Sequence, residues 1–257
     1  MIYLRKQNEI ELMKITGKVT GRILHDLAEF VKPGISTMDV NKFVEDQIFA
    51  EGMTPTFLGY NGFPAGACIS INDEIVHGIP DEKRILEEGD IVSIDIGATY
   101  KGYISDAART YPVGEISAEA RRLIDVCEKS FFAGLKCCTE NNKLSDIGNA
   151  VQETAENAGY SVVRDFVGHG VGTSLHEDPQ IPNYGNPGRG PKLIRGMALA
   201  IEPMINEGSY DTEIQLNNWT AVTVDGKLSA HYENTVVITE GKPEVITLDE
   251  RDIRGEM

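Results

Sequence analysis

Two aspartates of the sequence are spaced so that they could hold a metal ion between them. Asp95 ends an alternating apolar segment, and Asp106 follows a turn-forming segment at residues 99–102. If the centre of this hairpin lies between Tyr100 and Lys101, the two aspartates are cross-strand partners. Two carboxylates that are directly opposed on one sheet face repel each other unless a cation lies between them. The hairpin therefore predicts a metal ion at Asp95 and Asp106.

Three further residues could complete such a site. His169 lies in the glycine-rich segment 168–172, where the backbone can approach a ligand closely. Glu202 follows an apolar segment, and Glu233 lies in a predicted strand, where burying an acid is costly unless it is paired or metal-bound. Carboxylates with one imidazole suit hard or borderline divalent cations. Taken singly, each acid could be a solvated or hydrogen-bonded residue, and His169 could be a structural histidine. The five residues taken together favour a metal centre.

The elements that must position these residues follow from periodicity and turn signals. Helical spacing of apolar residues and helix-end signals predict four helices, at about residues 12–30, 38–51, 118–138 and 146–157. Strands are predicted at 91–96, 103–111, 197–205, 219–224 and 228–239. Asp225-Gly226 is a hairpin signal between the last two strands. The element order, two helices and then strands, occurs twice.

An internal repeat underlies this order. Asp146 lies 107 positions after Asp39, and at the same offset Ile94 meets Ile201 and Asp95 meets Glu202. Coincidence between two amphipathic segments is the alternative, but duplication explains why an acid meets an acid at the end of a matched strand. We therefore expect residues 1–257 to form one domain of two related halves, about 5–115 and 116–245, with both acids at a shared central cleft.

The bulk composition excludes several classes of protein. The chain has 257 residues, of which 41% are hydrophobic, and this rules out a mainly disordered chain. A net charge of −16 gives little support to nucleic-acid binding, and no apolar run could span a membrane. Charged residues near Met1 disfavour a signal peptide, and the four cysteines form neither a disulfide framework nor a zinc motif. We expect a cytoplasmic protein without membrane or specific nucleic-acid partners.

Several motifs, spread from about residue 5 to about residue 245, carry a family resemblance. They are Asn72-Asp73-Glu74-Ile75-Val76-His77-Gly78-Ile79-Pro80, Asp95 through Asp106, Gly168-His169-Gly170-Val171-Gly172, His176-Glu177, Ile201-Glu202-Pro203 and Glu233. The sequence resembles the type I (bacterial class) methionine aminopeptidases of the creatinase/aminopeptidase metallopeptidase family. This resemblance implies the α+β "pita-bread" fold, in which helices cover a curved, mainly antiparallel sheet.

The resemblance also implies a metal-dependent activity. Asp95, Asp106, His169, Glu202 and Glu233 are similar to the family's five ligands of two divalent ions, which could be Fe2+, Mn2+, Co2+ or Zn2+. The implied reaction is removal of the initiator methionine from nascent polypeptides whose next residue is small. Glu202 is the candidate for taking a proton from the attacking water. The N-termini of nascent chains are thus the expected partners, with transient association with the ribosome.

The family resemblance implies roles for further residues of the cleft. The histidine like His176 donates a hydrogen bond to the scissile carbonyl oxygen, and His77 resembles the residue that contacts the peptide nitrogen next to the cut. The residues that fall where the family builds its methionine pocket are Phe57, Tyr60, Phe63, Cys68 and Trp219. At two pocket positions the sequence departs from the commonest residues of the family: Phe57 stands in place of Cys, and Leu175 stands in place of Phe. We therefore expect a methionine pocket of altered shape.

Three other functions on the same fold are alternatives. Aminopeptidases and dipeptidases that cut before proline keep the same five ligands, but they normally carry an extra N-terminal domain, for which this chain is expected to have no room. A metal-free binding module would have lost ligand residues, whereas all five are present here. A creatinase-like hydrolase is disfavoured for the same reason.

Overall fold

Four α-helices cover antiparallel sheets in the computed structural model of the protein, which describes residues 1–252. The helices are α1 (Gln7–Phe30), α2 (Thr37–Ala50), α3 (Ala118–Lys136) and α4 (Leu144–Asn157), with short 3-10 helices at Tyr60–Gly62 and Glu250–Asp252. The four predicted helices are thus confirmed, and α1 begins five residues earlier than its apolar periodicity indicates. No helix in residues 1–252 is long and apolar enough to cross a membrane.

Helices α2 and α4 begin with the same type of cap. The Asp39 carboxylate accepts from the backbone N–H of Ser36 at 2.9 Å, and the Asp146 carboxylate accepts from that of Lys143 at 2.7 Å. In each helix this carboxylate satisfies a backbone N–H group that has no partner within the helix. Both helices have 14 residues, and α4 begins 107 positions after α2. The offset found in the sequence therefore recurs in the helix bounds.

The strands form four antiparallel sheets in the described part of the chain. The strands are β1 (Thr54–Pro55), β2 (Ala67–Ile71), β3 (Glu74–Val76), β4 (Ile91–Tyr100), β5 (Tyr103–Pro112), β6 (Ser161–Val162), β7 (Gly168–Gly170), β8 (Glu177–Ile181), β9 (Ala198–Ile201), β10 (Met204–Asn206), β11 (Thr212–Ile214), β12 (Ala221–Thr223), β13 (Ser229–His231), β14 (Asn234–Val237) and β15 (Glu244–Val245). The strand orders in the four sheets are β1-β4-β2 with β5 beside β4, β13-β10-β6, β11-β12-β3 and β15-β14-β9-β7-β8.

The predicted register of the β4–β5 hairpin is wrong by two residues. Tyr100 pairs with Tyr103, so the turn consists of Lys101 and Gly102, which both have positive φ. Two-residue hairpin turns of this kind match the twist of the strands and favour glycine at the second position. Asp106 consequently lies opposite Gly97, and the two aspartates are diagonal neighbours across the strand pair.

The predicted hairpin at Asp225-Gly226 is also wrong. Strand β12 pairs with β11 and β3, whereas β13 pairs with β10, so the two strands enter different sheets. The Asp225 carboxylate accepts from the backbone of Ser209 at 2.8 Å and of Lys227 at 3.2 Å, which holds the turn against the β10–β11 connection. The predicted strands 197–205 and 228–239 are each interrupted, at 202–203 and at 232–233.

Two large hydrophobic cores lie beneath the helices. Side chains of α1 and α2 pack on β2, β4 and β5, and side chains of α3 and α4 pack on β9, β10, β13 and β14. A third, smaller cluster includes Phe57, Phe63, Cys68 and Leu175. These four side chains line the same cavity as Glu202 and Glu233, which lie at the two strand interruptions.

Candidate metal centre

The five predicted ligand residues all line one cavity of the described structure. Asp95 lies on β4, Asp106 on β5 and His169 on β7, while Glu202 and Glu233 occupy the two strand interruptions. Ligand atoms of Asp106, His169 and Glu233 lie within 4.8 Å of one another. His169 Nε2 is 3.7 Å from Asp106 Oδ2 and 3.4 Å from Glu202 Oε1. Strands that are far apart in the sequence thus bring acids to the same small volume.

Backbone hydrogen bonds join β5 to the segment around Glu233 at this cluster. The Glu233 N–H donates to the Ala108 carbonyl at 2.9 Å, and the Ala108 N–H donates back at 3.3 Å. The Thr235 hydroxyl accepts from the Asp106 N–H at 2.9 Å and donates to the Asp106 carbonyl at 2.8 Å. The edge of β5 is therefore joined to the segment that carries Glu233, which holds Asp106 and Glu233 side by side.

The hydrogen bonding of His169 suits it to a ligand role. Its Nδ1 lies 2.9 Å from the Gly170 carbonyl, which can only accept, so Nδ1 carries the proton. The lone pair of Nε2 then faces the carboxylates, as in metal-binding histidines whose second nitrogen donates to a backbone carbonyl. Burial lowers the pKa of His169 to about 4, which keeps the ring neutral at neutral pH.

Burial dominates the electrostatics of the acids. It raises the pKa of Asp106 to about 7, and it raises that of Asp95 well above its ordinary value, with the charge of Asp106 adding to the effect. The pKa values of Glu202 and Glu233 are raised in the same way, first by burial and then by the neighbouring aspartates. Four acids in so little space repel one another unless protons or cations neutralise them.

The residues fit a divalent metal ion. Asp95 Oδ1, Asp106 Oδ1 and Glu233 Oε1 are buried and have no hydrogen-bond partner among residues 1–252. Buried carboxylate oxygens without partners are costly, and coordination by a cation would compensate for that cost. The donor set consists of oxygens and one imidazole nitrogen, which suits several divalent metals.

Two more histidines lie at the rim of the same cavity. His176 Nδ1 lies 2.8 Å from the Tyr60 hydroxyl, and the His176 ring centroid is 4.4 Å from that of His169. Burial lowers the pKa of His176, and it lowers the pKa of His77 to about 4. A neutral imidazole carries one N–H, so either ring can donate a single hydrogen bond into the cavity.

The apolar wall of the cavity includes the five residues expected in the methionine pocket. Phe57, Tyr60, Phe63, Cys68 and Trp219 line it together with Leu175. The Phe63 and Trp219 rings meet edge to face with their centroids 5.1 Å apart. The cavity volume is about 280 Å³, near the lower limit of typical small-molecule sites. Because the carboxylate–imidazole cluster and apolar side chains share this volume, a small apolar group could lie next to the cluster.

Sequence reasoning missed two features of the site. His231 is buried, with Nε2 3.9 Å from both Glu202 Oε2 and Glu233 Oε2. It lies two residues before Glu233, and this spacing on a strand could have indicated a shared face. The second feature is the ion pair between Arg5 and Glu177, whose side chains are each 6% exposed. No local pattern connects residues so far apart in sequence.

The fold and the buried carboxylate–imidazole cluster together define a metal-dependent hydrolase. The sequence profile described as "Metallopeptidase family M24" matches residues 11–240, and the chain belongs to this family.

The chain is similar over nearly its full length to curated members named methionine aminopeptidase. It is 52% identical to that of Clostridium acetobutylicum, covering 97% of this chain and 100% of the relative. It is 48% identical to "Methionine aminopeptidase 1" of Bacillus subtilis, covering 96% and 99%. The crystal structure of methionine aminopeptidase from Thermotoga maritima matches with a TM-score of 0.95 at 43% identity, covering 97% of this chain and 100% of that chain. The predicted family resemblance and pita-bread fold are confirmed.

Proposed function

We propose that the protein is an aminopeptidase that removes an N-terminal methionine when the next residue is small. The observation that carries this proposal is that one cavity contains both the carboxylate–imidazole cluster and an apolar pocket. A thioether side chain would fill such a pocket, because methionine is unbranched and makes favourable contacts with aromatic rings. The names of the relatives support the same substrate.

The metal centre of this enzyme would hold two divalent ions. Asp95, Asp106, His169, Glu202 and Glu233, which line one cavity, would hold them. When bound, two such ions lower the pKa of a water molecule and polarise the scissile carbonyl group. Fe2+, Mn2+, Co2+ and Zn2+ are all compatible with the oxygen and nitrogen donors.

Residues of the chain would carry the proton transfers and orient the substrate. The Glu202 carboxylate would take the proton of the attacking water and pass it to the leaving amine. His176 would donate to the scissile carbonyl oxygen, and Tyr60 would hold its ring through the contact at Nδ1. His77, which lines the same cavity, would contact the peptide nitrogen next to the cut.

The substrates in the cell would be the N-termini of nascent polypeptides. We infer that the protein acts in the cytoplasm and associates transiently with the ribosome, where such N-termini emerge. Its net charge of −16 would repel RNA, so docking would require a surface patch that contacts ribosomal protein.

Substrate choice tests the proposal directly. The protein is stripped of metal, resupplied with Mn2+, Fe2+ or Co2+, and incubated with Met-Ala-Ser and with an Ala-Pro peptide. We expect free methionine from Met-Ala-Ser and little cleavage of Ala-Pro. Cleavage of Ala-Pro with Met-Ala-Ser intact would instead assign the protein to the enzymes that cut before proline.

A further inference from the structure

His231 is a buried polar side chain without a role in the proposed reaction. The residue is 2% exposed, and its Nε2 has no hydrogen-bond partner among residues 1–252. The same atom lies 3.9 Å from Glu202 Oε2 and 3.9 Å from Glu233 Oε2. An unpaired buried imidazole nitrogen costs free energy, so its position between two carboxylates calls for an explanation.

The backbone of His231 is held on both sides, which fixes the direction of the ring. On one side, His231 pairs with Met204 in the β10–β13 ladder. On the other, its N–H donates to the Thr110 hydroxyl at 2.9 Å, and that hydroxyl donates to the His231 carbonyl at 2.9 Å. The Ser93 hydroxyl lies 2.8 Å from the Thr110 hydroxyl and extends this contact into β4.

The two glutamates each present one oxygen to His231. Glu202 lies between two imidazoles, with Oε1 3.4 Å from His169 Nε2 and Oε2 3.9 Å from His231 Nε2. Glu233 directs Oε2 toward His231, while its buried Oε1 has no hydrogen-bond partner in residues 1–252. A distance of 3.9 Å exceeds a hydrogen bond by about 1 Å. Movement of either carboxylate by that amount would form one.

We propose that His231 is a positioning residue of the metal centre. Its Nε2–H, which lies between the outer oxygens of Glu202 and Glu233, donates one hydrogen bond to one of these two oxygens when the metal centre is occupied. The other oxygen of that glutamate is thereby left free to bind metal. Partners that hydrogen-bond to ligating carboxylates typically contribute 10–100-fold to metal affinity. The inference depends on the metal centre of the proposed function, and it does not depend on the substrate.

A pair of variants separates hydrogen bonding from packing. His231→Gln keeps an N–H donor on a side chain of similar reach, and His231→Leu keeps much of the volume without a donor. The affinity of each chelator-treated protein for Co2+ and Mn2+ is measured by titration calorimetry, and thermal unfolding is measured without metal. We expect His231→Leu to weaken metal binding by about 10–100-fold and His231→Gln by less than about threefold. The metal-free His231→Leu protein should be as stable as the native one, because it loses no hydrogen bond.

Each contrary result has a distinct meaning. Equal affinity in His231→Leu and the native protein would overturn the inference. Equal loss in both variants would also overturn it, because Gln would then fail to replace the donor. If His231→Leu does not fold, His231→Met takes its place in the same comparison. Absence of divalent-metal binding by the native protein would remove the metal centre itself, together with this inference.

Discussion

Glu202 is the residue on which the proposed chemistry depends most. Replacing it with Gln keeps the shape of the side chain but removes a carboxylate that can take a proton. We expect Glu202→Gln to lower kcat for Met-Ala-Ser by about 10²–10⁴-fold, the usual contribution of a general base, with a smaller change in KM. Methionine release and bound metal are measured on the same samples, and Glu207→Gln, at an exposed position nearby in the chain, is the control. An unimpaired rate in Glu202→Gln would remove this residue from the mechanism.

His77 gives the stability of the metal-free protein a pH dependence. Burial, with the charge of His176 as the second cause, lowers the pKa of His77 from 6.5 to about 4. Between these values the unfolded chain binds a proton that the folded chain does not, so stability falls as pH falls from 6.5 to 4. At roughly 1.36 kcal/mol per pH unit, His77 alone lowers the free energy of unfolding by about 3 kcal/mol over this pH range.

The variant His77→Asn should not show this loss of stability on acidification. Asn is suitable because His77 has a φ of 62°, a conformation that Asn tolerates better than most residues. Denaturant unfolding of both proteins, with chelator present and at several pH values, should show the native protein losing about 3 kcal/mol more than the variant on acidification. Parallel stability curves for the two proteins would contradict the expected pKa.

At the level of the elements, the loop that carries His176 depends on a contact with the start of the chain. The Arg5 guanidinium pairs with Glu177, and the second Glu177 oxygen accepts from the backbone N–H groups of Thr173 at 2.8 Å and Ser174 at 3.0 Å. A Cβ on Gly172 would lie 2.2 Å from the guanidinium, so only glycine permits this approach. Arg5 therefore fixes the loop immediately beside His176.

Removing Arg5 should disturb both stability and catalysis. Arg5→Met leaves the Glu177 carboxylate buried without its cation, which typically costs about 3–5 kcal/mol. A displaced His176 should also lower kcat by about 10–100-fold, because small misplacements of catalytic groups are costly. Unfolding and steady-state rates are measured for Arg5→Met, Glu177→Gln and the double variant. The double variant should regain part of the stability that Arg5→Met loses, and strictly additive losses would show that the two side chains are not coupled.

Helix positions were predictable because they depend on local signals, whereas strand partners were not. The caps at Asp39 and Asp146 and the apolar periodicity of α1 and α3 are properties of short segments. The register of β4 and β5 depends on which residues accept positive φ, and Gly102 was the signal that should have decided it. The separation of β12 from β13 reflects their pairing with different strands, β12 with β11 and β3 and β13 with β10.

The candidate ligands were predictable for a different reason. Their residue types and neighbouring motifs are visible in the sequence, and all five line one cavity. His231 belongs to no motif, and its closeness to Glu202 arises from the pairing of β13 with β10. A contact created by sheet topology cannot be read from the spacing of residues along one segment.

At the scale of the whole molecule, the 107-residue offset recurs in contacts that the sequence does not show. An isolated bridge pairs Ser36 with Ile85, and another pairs Lys143 with Lys192, each partner 107 positions later. We propose that the chain consists of two related halves. Asp95 and Glu202, which share this offset, line the same cavity, so the metal centre lies where the halves meet.

A site placed at this junction should couple metal binding to the stability of the whole chain. The acids of both halves repel one another there, and cations that bind only the folded chain stabilise it by mass action. At free metal about 100-fold above Kd, each bound ion contributes about 2.7 kcal/mol, which corresponds to a rise in Tm of about 5–10 °C for a chain of this size. Calorimetric titration of the chelator-treated protein with Mn2+ or Co2+ should reach two ions per chain, and thermal unfolding should shift upward with each. Saturation at one ion with full methionine release would contradict the two-metal centre, because a single ion would then suffice for the reaction.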